Sequence, residues 1–169
     1  MKNTSVAYKL LSPILYSRYR ILLFVICIFP IQFSCNQNSS EKTIALNNYL
    51  HKISNSSIHP TKRVYVFFQL QGCSSCIHKM LELFKENLNN DSYCFVVTEI
   101  GSKTIKSLLS THEINHKNVL LDSKAIASQD KIMIGQGTVY LVENGNVIAD
   151  YTINPESIDE ILKMISYTD

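Results

Sequence analysis

The chain has 169 residues, 46% hydrophobic and 18% charged, enough for one domain with one modest core and too short to favour a multidomain reading. Its formal charge is +2, but Lys2, Lys9, Arg18 and Arg20 fall within the first 34 residues, where there is no acid; the other 12 basic residues face all 14 acidic ones, a balance of −2. No clustered basic face results and no aromatic run interleaves with Lys or Arg, which sets nucleic-acid binding aside, while 9 Tyr and 7 Phe exclude a disordered or collagen-like chain.

Residues 1–34 read as an export segment. The early positive charges precede Ile21 to Ile31, ILLFVICIFPI, 11 uncharged residues. A spanning helix needs about 20 apolar residues, so a signal peptide is the better reading. Gln32-Phe33-Ser34-Cys35 and the polar string Asn36 to Ser40 resemble a bacterial lipoprotein signal, although Gln32 stands where that signal usually has an aliphatic residue. The resemblance implies lipidation at Cys35 and a membrane-anchored protein facing the periplasm or exterior. Cleavage to a soluble secreted form and an uncleaved anchor remain open, and all three place residues 36–169 outside the cytoplasm, where disulfides persist. Residues 35–62 then form a tether with an N-terminal helix, and 63–169 the main domain.

The tether helix is expected over Glu41 to Ser54, with Ile44, Leu46, Tyr49, Leu50 and Ile53 at helical spacing and Ser40 as cap. Asn55 to Lys62 is a loop. Arg63 to Leu70, RVYVFFQL, is a buried strand. A helix follows Gln71-Gly72-Cys73-Ser74-Ser75-Cys76, burying Ile77, Met80, Leu81, Phe84 and Leu88 and ending at Asn89-Asn90-Asp91. Tyr93 to Ile100 is a second strand, Lys103 to Ser110 a helix, Thr111 to Lys117 a loop and Asn118 to Asp122 a third strand. Gly135 to Asp150 holds a hairpin, Thr138 to Val142 and Asn146 to Tyr151, joined at Asn144-Gly145, a pair suited to a type I′ turn. The last helix opens with Asn154 as cap and Pro155 at its first position, and buries Ile158, Ile161, Leu162 and Ile165.

Among the cysteines only Cys73 and Cys76 suggest chemistry. A Cys-x-x-Cys at a strand-to-helix junction puts the first thiol beside unpaired helix-start N–H groups, where the helix dipole favours a thiolate. Cys73 is then the nucleophile, and Cys76, about one turn on, can attack a mixed disulfide formed at Cys73. Other readings stay open. Structural zinc wants four ligands, with only Cys94 and scattered histidines to supply more; haem attachment wants His at the position of Ile77; an inert structural disulfide remains. Cys94 reads as a buried small hydrophobe. His78 reads as a solvated helix residue, Gln69 and Gln71 either line a cleft or are merely exposed, and His51, His59, His112 and His116 show no ligand spacing.

Strand RVYVFFQL, GCSSC opening a helix, NVLLD, the hairpin GTVYLVENGNVIADY and the final helix together resemble the thioredoxin-like proteins over about residues 41–169. NVLLDSKAIA is most similar to membrane-tethered extracytoplasmic thiol–disulfide oxidoreductases of the peroxiredoxin-related group. The resemblance implies an α/β fold, a central mixed sheet flanked by helices, with no cofactor. It implies that Gln136, Gly137 and Thr138 bind the substrate peptide. Three departures stand out: Gly72 where the family has Trp, Gly137 where it has a cis-proline, and Phe67 where thioredoxins bury a carboxylate. The glycines at 135 and 137 are expected to leave their loop flexible, and loss of the proline to weaken peptide binding or admit a metal ion. The function expected is disulfide exchange with protein thiols or disulfides, including a redox partner protein; the alternative is a non-catalytic module holding a metal or a partner at the cysteine loop.

Overall fold

Strand β1 (Val64–Gln69), VYVFFQ, is apolar on both faces, as a central strand is when helices cover both sides of its sheet. In the computed structural model, which describes residues 39–98 and 102–166, β1 lies between β2 (Tyr93–Thr98) and β4 (Gly137–Glu143), with β3 (Val119–Asp122) and β5 (Asn146–Ile153) at the edges. The order is β3-β2-β1-β4-β5; β1, β2 and β3 run parallel and β4 runs antiparallel to β1 and β5. Around the sheet lie α1 (39–54), α2 (Ser74–Asn87), α3 (Ser102–Leu108), α4 (Thr111–Ile114), α5 (Ile126–Gln129) and α6 (Ile158–Ile165). This is the thioredoxin-like arrangement expected: a mixed sheet with helices on both faces.

The period of two along β1 sorts its side chains into two cores. Val64, Val66 and Phe68 share one with Met80 and Phe84 of α2 and Ile158 and Ile161 of α6. Tyr65 and Phe67 share the other with Leu46, Tyr49 and Leu50 of α1. Helix α1 is also tied to edge strand β5, where the Val147 N–H donates to Thr43 Oγ1 at 2.9 Å and Lys42 pairs with Asp150. The hairpin turn is as expected, with Asn144 and Gly145 at φ 51° and 77°.

Several local expectations are corrected. Ser40 lies inside α1 rather than capping it, and Ile44 is exposed. The stretch from Thr111 is not all loop: Ser110 and Glu113 form a reciprocal capping box that starts α4. Helix α6 begins at Ile158 after Ser157, because the Asn154 side chain accepts from the Glu156 and Ser157 N–H groups and holds Pro155 in a turn. Helix α2 buries Cys76, Met80, Leu83 and Phe84, a face rotated from the expected one, so that Ile77 and Leu81 are half-buried. The expected strand end at Ile100, residues 1–34 and Cys35 lie outside the described residues. Among the described residues no helix is long and apolar enough to cross a membrane.

Candidate functional site

The C-terminal end of β1 leads through Gly72, at φ +112°, into the first turn of α2. That backbone conformation is rarely open to a residue with a Cβ, which accounts for glycine where the resemblance implies tryptophan. Cys73 is the N-cap of α2, and its sulfur accepts the Cys76 N–H at 3.5 Å, the role usually filled by a Ser, Thr, Asp or Asn oxygen. The Ser75 hydroxyl lies 3.1 Å from the same sulfur. Hydrogen bonds from the Cys76 thiol, then from Ser75, then from the Cys76 amide bring the Cys73 thiol down to about 7.

Cys76 behaves oppositely. It belongs to the buried face of α2 and is 1% exposed, so burial, followed by the hydrogen bond with Cys73, raises its thiol above the usual range. One sulfur is therefore presented to solvent and readily ionised, and its neighbour one turn on is withheld as a thiol.

The loop from Ile132 to Gln136 faces this junction, and hydrogen bonds hold it along its length despite its glycine. Ile132 and Met133 N–H both donate to the Ala127 carbonyl, at 2.8 and 2.9 Å, and the Ile134 N–H donates to Thr138 Oγ1 at 3.0 Å. Gln69 holds the rest: its Nε2 donates to the Gly135 carbonyl and its N–H to that of Gln136, each at 3.3 Å. Behind the loop, the buried Asp122 accepts the Ile126 and Ala127 N–H groups at 2.9 and 2.7 Å and the Tyr49 hydroxyl at 3.1 Å. Backbone hydrogen bonding overrides the freedom that glycine composition suggests.

Of the three residues expected to bind a peptide, Gln136 is half-buried beside the cysteines, and its Oε1 accepts the Cys73 N–H at 3.2 Å. Gly137 and Thr138 are buried in the sheet. Gly137 pairs with Phe68; a Cβ there would stand 2.3 Å from the Phe67 carbonyl oxygen and 2.9 Å from Ile153 Cδ1, so the strands close only over glycine. No cis peptide bond occurs among the described residues. Sequence reasoning did not find the contact of Gln136 with Cys73, which spans 63 positions and exists only because β4 lies against β1.

The other candidates lie elsewhere. Phe67 is fully buried between Tyr49 and Tyr140, ring centroids 5.3 and 5.6 Å away, in the core opposite the cysteine pair. Cys94 is in that core too, its thiol pushed up to about 12 by burial, and has no part in the pair. His78 is exposed beside Glu82 at 3.2 Å. Among the described residues no group of three or more His, Cys, Asp or Glu side chains is placed to hold a metal ion, so a metal at the cysteines would rest on two sulfurs and outside ligands.

No protein-family model matches the chain, and no curated protein matches it. Among solved structures it is similar to an uncharacterized thioredoxin-like protein from Porphyromonas gingivalis, at 18% identity and TM-score 0.44, covering 68% of this chain and 80% of that one. It is also similar to a thiol-disulfide oxidoreductase from Bacteroides fragilis NCTC 9343, at 13% identity and TM-score 0.42, covering 65% and 85%. The thioredoxin-like assignment of the fold stands on the sheet order and on the dithiol at the end of its central strand.

Proposed function

We propose that the chain is a thiol–disulfide oxidoreductase acting on protein partners, with Cys73 attacking and Cys76 resolving. The observation that carries this reading is the asymmetry of the pair: an accessible sulfur at a helix N-cap with its thiol near 7, next to a buried thiol held above the usual range. The Cys73 thiolate attacks one sulfur of a partner disulfide, forming a mixed disulfide and releasing one partner thiolate, which takes up a proton. Cys76 then gives its proton to water and attacks the Cys73 sulfur. The second partner thiolate leaves, the partner has gained two electrons, and Cys73–Cys76 is a disulfide. Run backwards, the same steps oxidise a dithiol. Export and lipidation at Cys35 complete the proposal, placing the dithiol at the outer side of a bacterial membrane.

The reading is tested by insulin reduction in the presence of dithiothreitol, where the protein should outpace its Cys73→Ser variant; equal rates would count against it. Equilibration with glutathione buffers should give a reversible couple between roughly −100 and −300 mV, spanning the known exchange catalysts. A second reading, a binding module without turnover, draws support from Phe67: no carboxylate stands where a proton acceptor for Cys76 is expected. A pair that stays oxidised in every buffer would favour it.

A further inference from the structure

Two of the departures, Gly72 and Gly137, meet at one side chain. Gly137 lets β4 begin hard against β1, in register with Phe68, and this brings the Gln136 carbonyl to the Gln69 N–H at 3.3 Å. With its backbone fixed there, Gln136 extends its carboxamide over Gly72. A Cβ on Gly72 would lie 2.3 Å from Oε1, 2.7 Å from Nε2 and 2.9 Å from Cδ of Gln136, so the carboxamide fills the space a side chain at 72 would need. From that seat Oε1 accepts the Cys73 N–H at 3.2 Å. That N–H is one of the helix-start donors left without an intrahelical acceptor.

We propose that Gln136 is the positioning residue of the dithiol: its carboxamide, seated on the bare Cα of Gly72, holds the Cys73 amide and so sets how the Cys73 sulfur is presented to a partner. The proposal deepens the exchange reading and rests on it for its functional meaning. Gln69 holds the Gln136 carbonyl and the Asp122 network, through Ala127, ties down the start of the loop, and a site residue is only as well placed as what supports it. Side-chain length matters as well. Asparagine is one methylene too short to reach, whereas glutamate reaches but brings a negative charge next to the nucleophile.

The test uses the full chain and two readouts. The first is the pH profile of Cys73 alkylation by iodoacetamide, followed by the mass of the Cys73 peptide. Gln136→Glu keeps the shape and the acceptor, and its charge beside the thiolate should raise the alkylation midpoint by about one pH unit. The second is the rate of exchange with a small peptide disulfide. Gln136→Met, which keeps the volume and loses the acceptor, should slow exchange by about tenfold, and Gly72→Ala, which closes the seat and also strains the backbone at φ +112°, should slow it by at least as much. The double variant should be within about twofold of the slower single, since a seat can be lost only once. A midpoint unmoved in Gln136→Glu, or losses that multiply in the double variant, would overturn the proposal, even if Gln136→Met proves too unstable to assay. Alkylation needs no partner. A wild-type chain that exchanges nothing therefore refutes the exchange reading, while the Gln136→Glu midpoint still decides the seat.

Discussion

The Cys73 thiol is lowered by what its sulfur accepts, and the side-chain donors can be removed. With the thiol at about 7, its alkylation rate should be half-maximal near neutrality, rise to a plateau above pH 8 and fall about tenfold per unit on acidification below pH 6. Ser75→Ala removes the hydroxyl 3.1 Å away and should move the midpoint upward by less than about one pH unit, read by the same titration; a downward shift would contradict the assigned donor. Phe67 presents the opposite case. Restoring an acid there by Phe67→Asp would not return a proton relay, because the side chain sits between Tyr49 and Tyr140 in the core away from the cysteines. An unpaired carboxyl in that core should cost more than about 4 kcal/mol in urea unfolding. The cysteines were legible in the sequence from spacing alone. Ser75 was visible only as a neighbour, and Phe67 only as an aromatic in a strand.

At the scale of elements, the site depends on a loop that is braced rather than free. Asp122 ends β3 and caps the start of α5, whose Ala127 carbonyl takes the two amides that open the loop. Asp122→Ala would leave the buried Ala127 amide, the part-buried Ile126 amide and the Tyr49 hydroxyl without their acceptor, an expected loss of about 3 kcal/mol by denaturant melt. Exchange activity should fall with it, since the start of the loop that ends at Gln136 would lose its support. Gly137→Ala pushes a methyl to 2.3 Å from the Phe67 carbonyl and should cost more than about 2 kcal/mol; a thermal midpoint within a degree of wild type would show that the strands can separate there. The strands, the hairpin and the terminal helix were readable from period and turn chemistry. The short helices α4 and α5 were not, because a four-residue helix has no period to read and is held by its cap or, in α5, by the Asp122 carboxylate at the end of the preceding strand.

At the scale of the whole molecule, the second core closes only when α1 is present. Leu46, Tyr49 and Leu50 together contribute roughly 5–9 kcal/mol of burial, against a total stability of about 5–15 kcal/mol for a domain. A chain beginning at residue 55 should therefore expose Tyr65, Phe67 and Tyr140, bind a hydrophobic dye and melt without a cooperative transition. A sharp two-state melt of that fragment would refute the role given to α1. Both cysteines sit against the first core, so residual structure in the fragment should leave Cys73 reactive while its pH profile reverts toward an ordinary thiol.

What the amino-acid order determined by itself is what depends on near neighbours: the buried run of β1, the Asn144-Gly145 turn, the helix that follows Gly72, and a first cysteine at a helix start. These follow from local sterics, side-chain period and unpaired amides, all of which act over a few residues. Only the tertiary structure decided the rest. The pairing of β1 with β4 puts Gly137 where a Cβ would clash and brings Gln136 to Cys73 across 63 positions, while packing of α2 against the first core buries Cys76. Such contacts arise from strand pairing and core packing, which join residues with no relation in sequence.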